Sequence, residues 1–143
     1  MSRHTYNVSL KWEEGRKGVL SSPELPTRFE VATPPEFDKG IPGIWSPEHL
    51  FTSSVLSCFM TTFLAVAEFS KLDFQTFECS AEGVLDKVDG KFLMTEINLT
   101  AHLKINDEAH TEKAQRILEK SETACLISNS IKSKVNLICN IKV

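Results

Sequence analysis

From His4 to Trp12 apolar and polar residues alternate, with Tyr6, Val8, Leu10 and Trp12 on one side, which predicts a first strand. A charged turn follows at Glu13-Glu14-Gly15-Arg16-Lys17-Gly18, and two short strands are predicted near 17–21 and 27–31. Between Thr33 and Pro47, four prolines and two glycines exclude regular structure. A loop of that length carrying Phe37, Ile41, Ile44 and Trp45 is expected to be packed and functional. Ser46-Pro47-Glu48 has the order of a helix start: a capping hydroxyl, proline at the first helical position and an acid in the first turn. The helix is predicted to run to about Phe69. Its residues 50–67 carry no charge and place apolar side chains on every side, the pattern of a helix buried all round. A membrane span is the rival reading of such a stretch. Six serines and threonines within it, and the amphipathic character of the rest of the chain, favour a core helix.

The clearest hairpin joins residues 74–88 to residues 91–105 through Asp89-Gly90, a pair suited to two positive-φ positions. Phe77, Cys79, Ala81 and Leu85 share a face of its first arm, and Ile97, Leu99, Ala101, Leu103 and Ile105 a face of its second. A helix is predicted from Glu108 to about Glu122, capped by Asn106 or Asp107, with Ala109, Ala114, Ile117, Leu118 and Ser121 inward and Glu112 placed to pair with Arg116. A short helix over 125–131 and a last strand through Val135, Leu137, Cys139, Ile141 and Val143 complete the chain. Strands come in runs and do not alternate with helices, so the fold class is α+β, in one domain over residues 1–143. Sheet can cover only one side of the apolar helix. A second copy is expected to cover the other, in an obligate homodimer.

With 143 residues the chain can build a core without disulfide staples, and its net charge of −3 leaves no basic excess for nucleic acid. No apolar signal region follows the start of the chain, so a reducing cytoplasmic location is expected, with no membrane partner. Cys58, Cys79, Cys125 and Cys139 contain no C-x-x-C, and His4, His49, His102 and His110 are scattered, so neither a metal nor another cofactor is predicted. Cys79 and Cys139 sit at core-facing strand positions and read as small buried hydrophobes. Cys58, in the middle of the apolar helix, reads the same way when taken alone. Cys125 falls at a break between helices, where a thiol pKa can be lowered.

Ser46-Pro47-Glu48-His49-Leu50-Phe51, Ser57-Cys58-Phe59 and Ala124-Cys125-Leu126-Ile127-Ser128-Asn129-Ser130, with the Gly15-Arg16-Lys17-Gly18 turn, resemble the OsmC/Ohr family over nearly the whole chain. The resemblance implies an OsmC-like fold: antiparallel sheets around a buried central helix, in an intertwined homodimer with two interfacial sites. It also implies cysteine-based reduction of organic hydroperoxides within an oxidative stress response. Cys58 would be the peroxidatic thiol and Cys125 the resolving one, with an external dithiol, typically on a lipoylated protein, as reductant. A mid-helix thiol is disfavoured as an anion by burial, so a fixed cation beside it is expected. The family pattern points to Arg16, with Arg28 as the reserve candidate, and to Glu48 as the carboxylate holding that arginine. Ten residues of helix put Glu48 about 15 Å from Cys58, so either the arginine bridges them or the other subunit completes the site, and the second is expected. Trp45, Ser46 and Leu126 depart from the hydroperoxide-resistance pattern and leave the subfamily open. The apolar residues Phe37, Ile44, Trp45, Phe51, Phe59 and Met60 would favour a bulky hydroperoxide. The alternative from another class is a non-catalytic dimer that binds a small hydrophobic ligand, with both cysteines merely buried.

Overall fold

The computed structural model describes residues 3–143; of the N-terminal residues read above, Met1 and Ser2 lie outside the described residues. The chain forms two compact units, residues 1–50 and 51–143.

The first unit is an antiparallel sheet of β1 (Ser9–Glu14), β2 (Lys17–Ser22) and β3 (Leu25–Ala32), in that order. Its first strand starts later than the alternation predicts. The Asn7 carbonyl accepts from Ser22 Oγ at 2.7 Å and the Asn7 N–H donates to Glu24, so side chains and not a ladder hold the segment before Ser9. Gly15 turns the β1–β2 corner at φ +50°. Lys17 bridges Glu13 at 3.3 Å and Glu30 at 2.9 Å across the three strands. The proline-rich segment is irregular and packed, as expected. The Ala32 N–H donates to the Trp45 carbonyl and the Ile41 N–H to that of Thr33, both at 2.9 Å.

Helix α1 (Pro47–Phe69) starts where the sequence places it. Ser46, wholly buried, accepts the His49 N–H at 3.2 Å. His49 Nδ1 in turn accepts the Ser46 N–H at 3.3 Å and lies 2.7 Å from Ser46 Oγ, a capping box with histidine in the place of glutamate. The serine that departs from the family pattern is thus the cap of the helix.

In the second unit, β4 (Phe74–Val88) and β5 (Lys91–Ile105) form the predicted hairpin to the residue. Asp89 and Gly90 take φ of +51° and +80° at its tip. A bulge between Val84 and Leu85 turns Leu85 out of the face expected for it, leaving it exposed. A single 3-10 turn (Glu108–His110), capped by the Asp107 carboxylate accepting from the Ala109 N–H at 2.9 Å, leads into α2 (Thr111–Ala124). Ala114, Ile117, Leu118 and Ser121 face inward as predicted, whereas Ala109 is exposed. Among the described residues, Glu112 and Arg116 form no ion pair. The short helix expected at 125–131 is a 3-10 turn over Ser128–Ser130, and β6 (Lys134–Lys142) closes the unit.

One expectation is corrected. The second sheet, β4-β5-β6, is mixed and not antiparallel: β6 runs parallel to β5, because α2 carries the chain back to the end from which β5 set out. Within this single chain α1 is buried on one side, the side that sheet was expected to cover. Val55, Phe59, Phe63 and Ala67, four residues apart, form one buried stripe. The stripe packs on Ile97, Leu99, Ala101, Leu103 and Ile105 of β5 and on the inner face of α2, with Phe63 stacked on Phe77 at 4.5 Å. Sheet and helix cover only that side. Met60 and Leu64 stay about 40% exposed at 41% and 42%, and Phe69 lies open at 87%. By length and composition α1 could cross a bilayer, but this stripe is the spine of the second unit's core.

Candidate active site

Cys58 sits on α1 beside the buried stripe, one position before Phe59, and is partly exposed. Its helical neighbour one turn on is Thr62, whose Oγ1 lies 3.9 Å from the sulfur. Cys125 is the residue at which α2 stops. It turns to extended backbone (φ −64°, ψ 116°) while its N–H still donates to the Glu122 carbonyl at 3.1 Å.

The loop after Cys125 is tightly stapled. The Asn129 N–H donates to the Cys125 carbonyl at 3.1 Å and the Ser130 N–H to that of Ile127 at 3.0 Å. Asn129 Nδ2 donates to the Thr123 carbonyl at 3.1 Å and Ser130 Oγ to that of Leu126 at 2.7 Å. These bonds hold the backbone N–H groups of Leu126 and Ile127 toward the Cys58 sulfur, and the Cys125 thiol beside it.

The two thiols ionise in opposite senses. Burial alone would push Cys58 up. The Cys125 thiol, the Ile127 N–H, the Thr62 hydroxyl and the Leu126 N–H outweigh that and hold it below its ordinary range. Cys125 is wholly buried, and burial pushes it up. The Ser128 hydroxyl and N–H pull the other way, while the neighbouring Cys58 adds to the rise. Ser128 Oγ is itself buried and without a hydrogen-bond partner, close to the Cys125 thiol whose anion it favours. The arrangement sets a Cys58 thiol favoured toward its anion beside a Cys125 thiol favoured toward its neutral form, both free of disulfide.

A cation is expected at Cys58 from the sequence, whereas the donors that act on it here are neutral. Arg16 lies exposed in the β1–β2 turn, its carbonyl accepting the Thr33 N–H at 3.2 Å, and Arg28 lies exposed on β3. Glu48 stands in the first turn of α1 with Oε1 buried. Neither arginine forms an ion pair with Glu48 within this chain, among the described residues. Also among them, no cluster of three or more His, Cys, Asp or Glu could hold a metal ion. What the sequence reading missed is Thr62, Ser128 and the two amides. Thr62 and Ser128 stand four residues and three residues from the cysteines, the spacing of one helical turn, which is the signal that could have found them.

The sequence model of a family described as OsmC-like protein matches residues 40–140. The chain belongs to the OsmC-like family. This OsmC-like chain is 24% identical over 142 residues to the uncharacterized protein YmaD of Bacillus subtilis, across 96% of this chain and 93% of YmaD. Its fold is similar to that of an OsmC-like protein of unknown function from Vibrio cholerae, with a TM-score of 0.86 at 16% identity over 96% and 99% of the two chains. It is also similar to an organic hydroperoxide resistance protein from Elizabethkingia anophelis, with a TM-score of 0.79 at 22% identity over 99% and 97%. The OsmC-like α+β fold, two sheets and two helices, is therefore common to all three structures.

Proposed function

We propose that this OsmC-like protein is a thiol peroxidase that reduces organic hydroperoxides to alcohols. The observation that carries the reading is the meeting of Cys58 and Cys125, one thiol held toward its anion and the other kept neutral. The Cys58 thiolate attacks the distal peroxide oxygen. The O–O bond breaks, the alkoxide takes a proton and leaves as the alcohol, and Cys58 becomes a sulfenic acid. Cys125 then attacks that sulfur, water departs, and a Cys58–Cys125 disulfide remains for an external dithiol, such as one carried on a lipoylated protein in the reducing cytoplasm, to open.

A homodimer completes the site in this reading. Met60, Leu64 and Phe69 on α1, and Leu10, Trp12 and Phe29 on the first sheet, are apolar surface that a second copy would bury. Arg16 held by Glu48 would then be supplied across the interface, with Arg28 as reserve, to stabilise the alkoxide as it forms. The experiment is consumption of cumene hydroperoxide by the reduced protein, one equivalent per Cys58, with a mass loss of two hydrogens mapped to a Cys58–Cys125 link. If both thiols still alkylate fully after peroxide, a ligand-binding dimer with buried cysteines replaces this reading. Sedimentation at micromolar concentration tests the dimer, and a monomer there removes the shared site.

A further inference from the structure

We propose that the Cys58–Cys125 disulfide is opened only at Cys58, and that Ser128 is a further catalytic residue that receives Cys125 as the leaving thiolate. The inference rests on the peroxidase reading for its place in a cycle, but its geometry stands on the reduced site alone. The two sulfurs differ in access: Cys58 is partly exposed, whereas Cys125 has 0% exposure. An incoming thiolate must approach the sulfur it attacks along the S–S axis, from the side opposite the bond that breaks. Cys58 offers such an approach from outside; at Cys125 that space is filled by protein.

The leaving sulfur also needs a donor, since a buried thiolate without one is costly. Ser128 Oγ is a buried hydroxyl with no hydrogen-bond partner, next to Cys125. An orphaned buried donor costs stability in the resting protein and is expected where a charge develops later. Its own N–H faces the same sulfur. Bonds from Asn129 to the carbonyls of Cys125 and Thr123 fix the turn that presents both donors.

One thiolate of an external dithiol attacks Cys58 Sγ, the S–S bond breaks, and its electron pair goes to Cys125 Sγ, which Ser128 holds until it takes a proton. The second thiol of the reductant then attacks the mixed disulfide on its own first sulfur. Cys58 leaves as the thiolate and the reductant departs as a cyclic disulfide. The resolving cysteine is never bonded to the reductant.

The test begins with wild-type protein oxidised by diamide, which makes the disulfide without any peroxidase activity. Brief exposure to 2-mercaptoethanol, acid quench, alkylation and peptide mapping are expected to find the adduct on Cys58 and the alkyl group on Cys125. An adduct on Cys125 overturns the proposal. In Ser128→Ala, reduction of the diamide-made disulfide by dithiothreitol is expected to slow about three- to tenfold, because a leaving thiol of higher pKa departs more slowly. Ser128→Thr should restore the rate. In Cys58→Ala protein, thiolate absorbance should show Cys125 ionising at higher pH once Ser128→Ala is added. An unchanged rate and an unchanged titration in Ser128→Ala overturn the role given to Ser128. Should that variant fail to fold, adduct mapping on the wild type still decides which sulfur is attacked. A protein that passes these tests and consumes no cumene hydroperoxide defeats the peroxidase reading and leaves this one standing.

Discussion

Cys58 and Cys125 meet where α1 faces the loop after α2, while Cys79 and Cys139 lie in the sheet of the same unit. Cys79 pairs with Ala101 on β5, and Ala101 with Cys139 on β6. Two strand spacings, about 9–10 Å, separate those sulfur-bearing residues, beyond the reach of a disulfide. All four residues are cysteines in largely apolar surroundings, yet their ionisation diverges. Burial pushes Cys79 up to about 11, and the neighbouring Cys139 adds to it, against weaker help from the backbone of Thr100 and Ser80. Burial raises Cys139 as well, with Glu119 beside it disfavouring a further negative charge. In a sheet the N–H groups are consumed by the ladder. In the loop after Cys125, the amides of Leu126 and Ile127 are left over and directed at a sulfur. The lowered pKa of Cys58 follows first from the neighbouring Cys125 thiol and next from the Ile127 N–H, donors that the sheet cysteines lack.

The largest effect that could break this comparison is on peroxide consumption. Cys58→Ser is expected to lower it by about a thousandfold or more, since the nucleophile itself is removed. Cys79→Ser and Cys139→Ser should stay within about twofold, because neither thiol touches the site. A loss in Cys79→Ser as deep as in Cys58→Ser, in a folded protein, would erase the distinction between the pairs. Next in size is alkylation of the reduced wild type at neutral pH, followed by peptide mapping. A thiol titrating at about 11 holds roughly a hundredfold less thiolate at neutral pH than an ordinary cysteine. Cys58 should therefore be labelled at least about a hundredfold faster than Cys79, which labels readily only after denaturation.

Which features of this contrast the sequence reveals depends on how local their causes are. The Asp89-Gly90 turn and the Ser46 cap are set by residues within one turn of each other, and both were readable. So were the core-facing positions of Cys79 and Cys139, since period-two alternation marks them. The parallel pairing of β6 was not, because it depends on where α2 returns the chain. The amides at Cys58 leave no trace in residue identity at all, which is why the sequence reading looked for a charged side chain to do their work.

The sheet pair has its own pH signature. A raised thiol pKa means that the native state keeps a proton the unfolded chain has already lost. Between about 9 and 11 the unfolded state binds fewer protons, and stability falls as pH rises. Below that window the contribution is fully present. Cys79→Ala should cost about 1 kcal/mol at pH 7 through a small cavity. It should also flatten the loss of thermal stability between pH 9 and 11 relative to wild type. Parallel curves for the two proteins would mean that Cys79 is not held neutral by the fold.

The smallest effect concerns the helical side of the reactive pair. Thr62 Oγ1 approaches Cys58 Sγ at 3.9 Å, at the long end of a hydrogen bond to sulfur, and its influence ranks below those of the Cys125 thiol and the Ile127 N–H. Thr62→Val removes that donor while keeping the shape and the β-branch, so the helix should be unaffected. The thiol pKa of Cys58 should rise by a few tenths, and the thiolate fraction at pH 7 should fall about twofold. The pH profile of alkylation separates this from damage to the site. Its midpoint moves up while the plateau at high pH, where Cys58 is fully ionised in both proteins, stays put. A lowered plateau would show that Thr62 positions the sulfur and does not merely stabilise its charge.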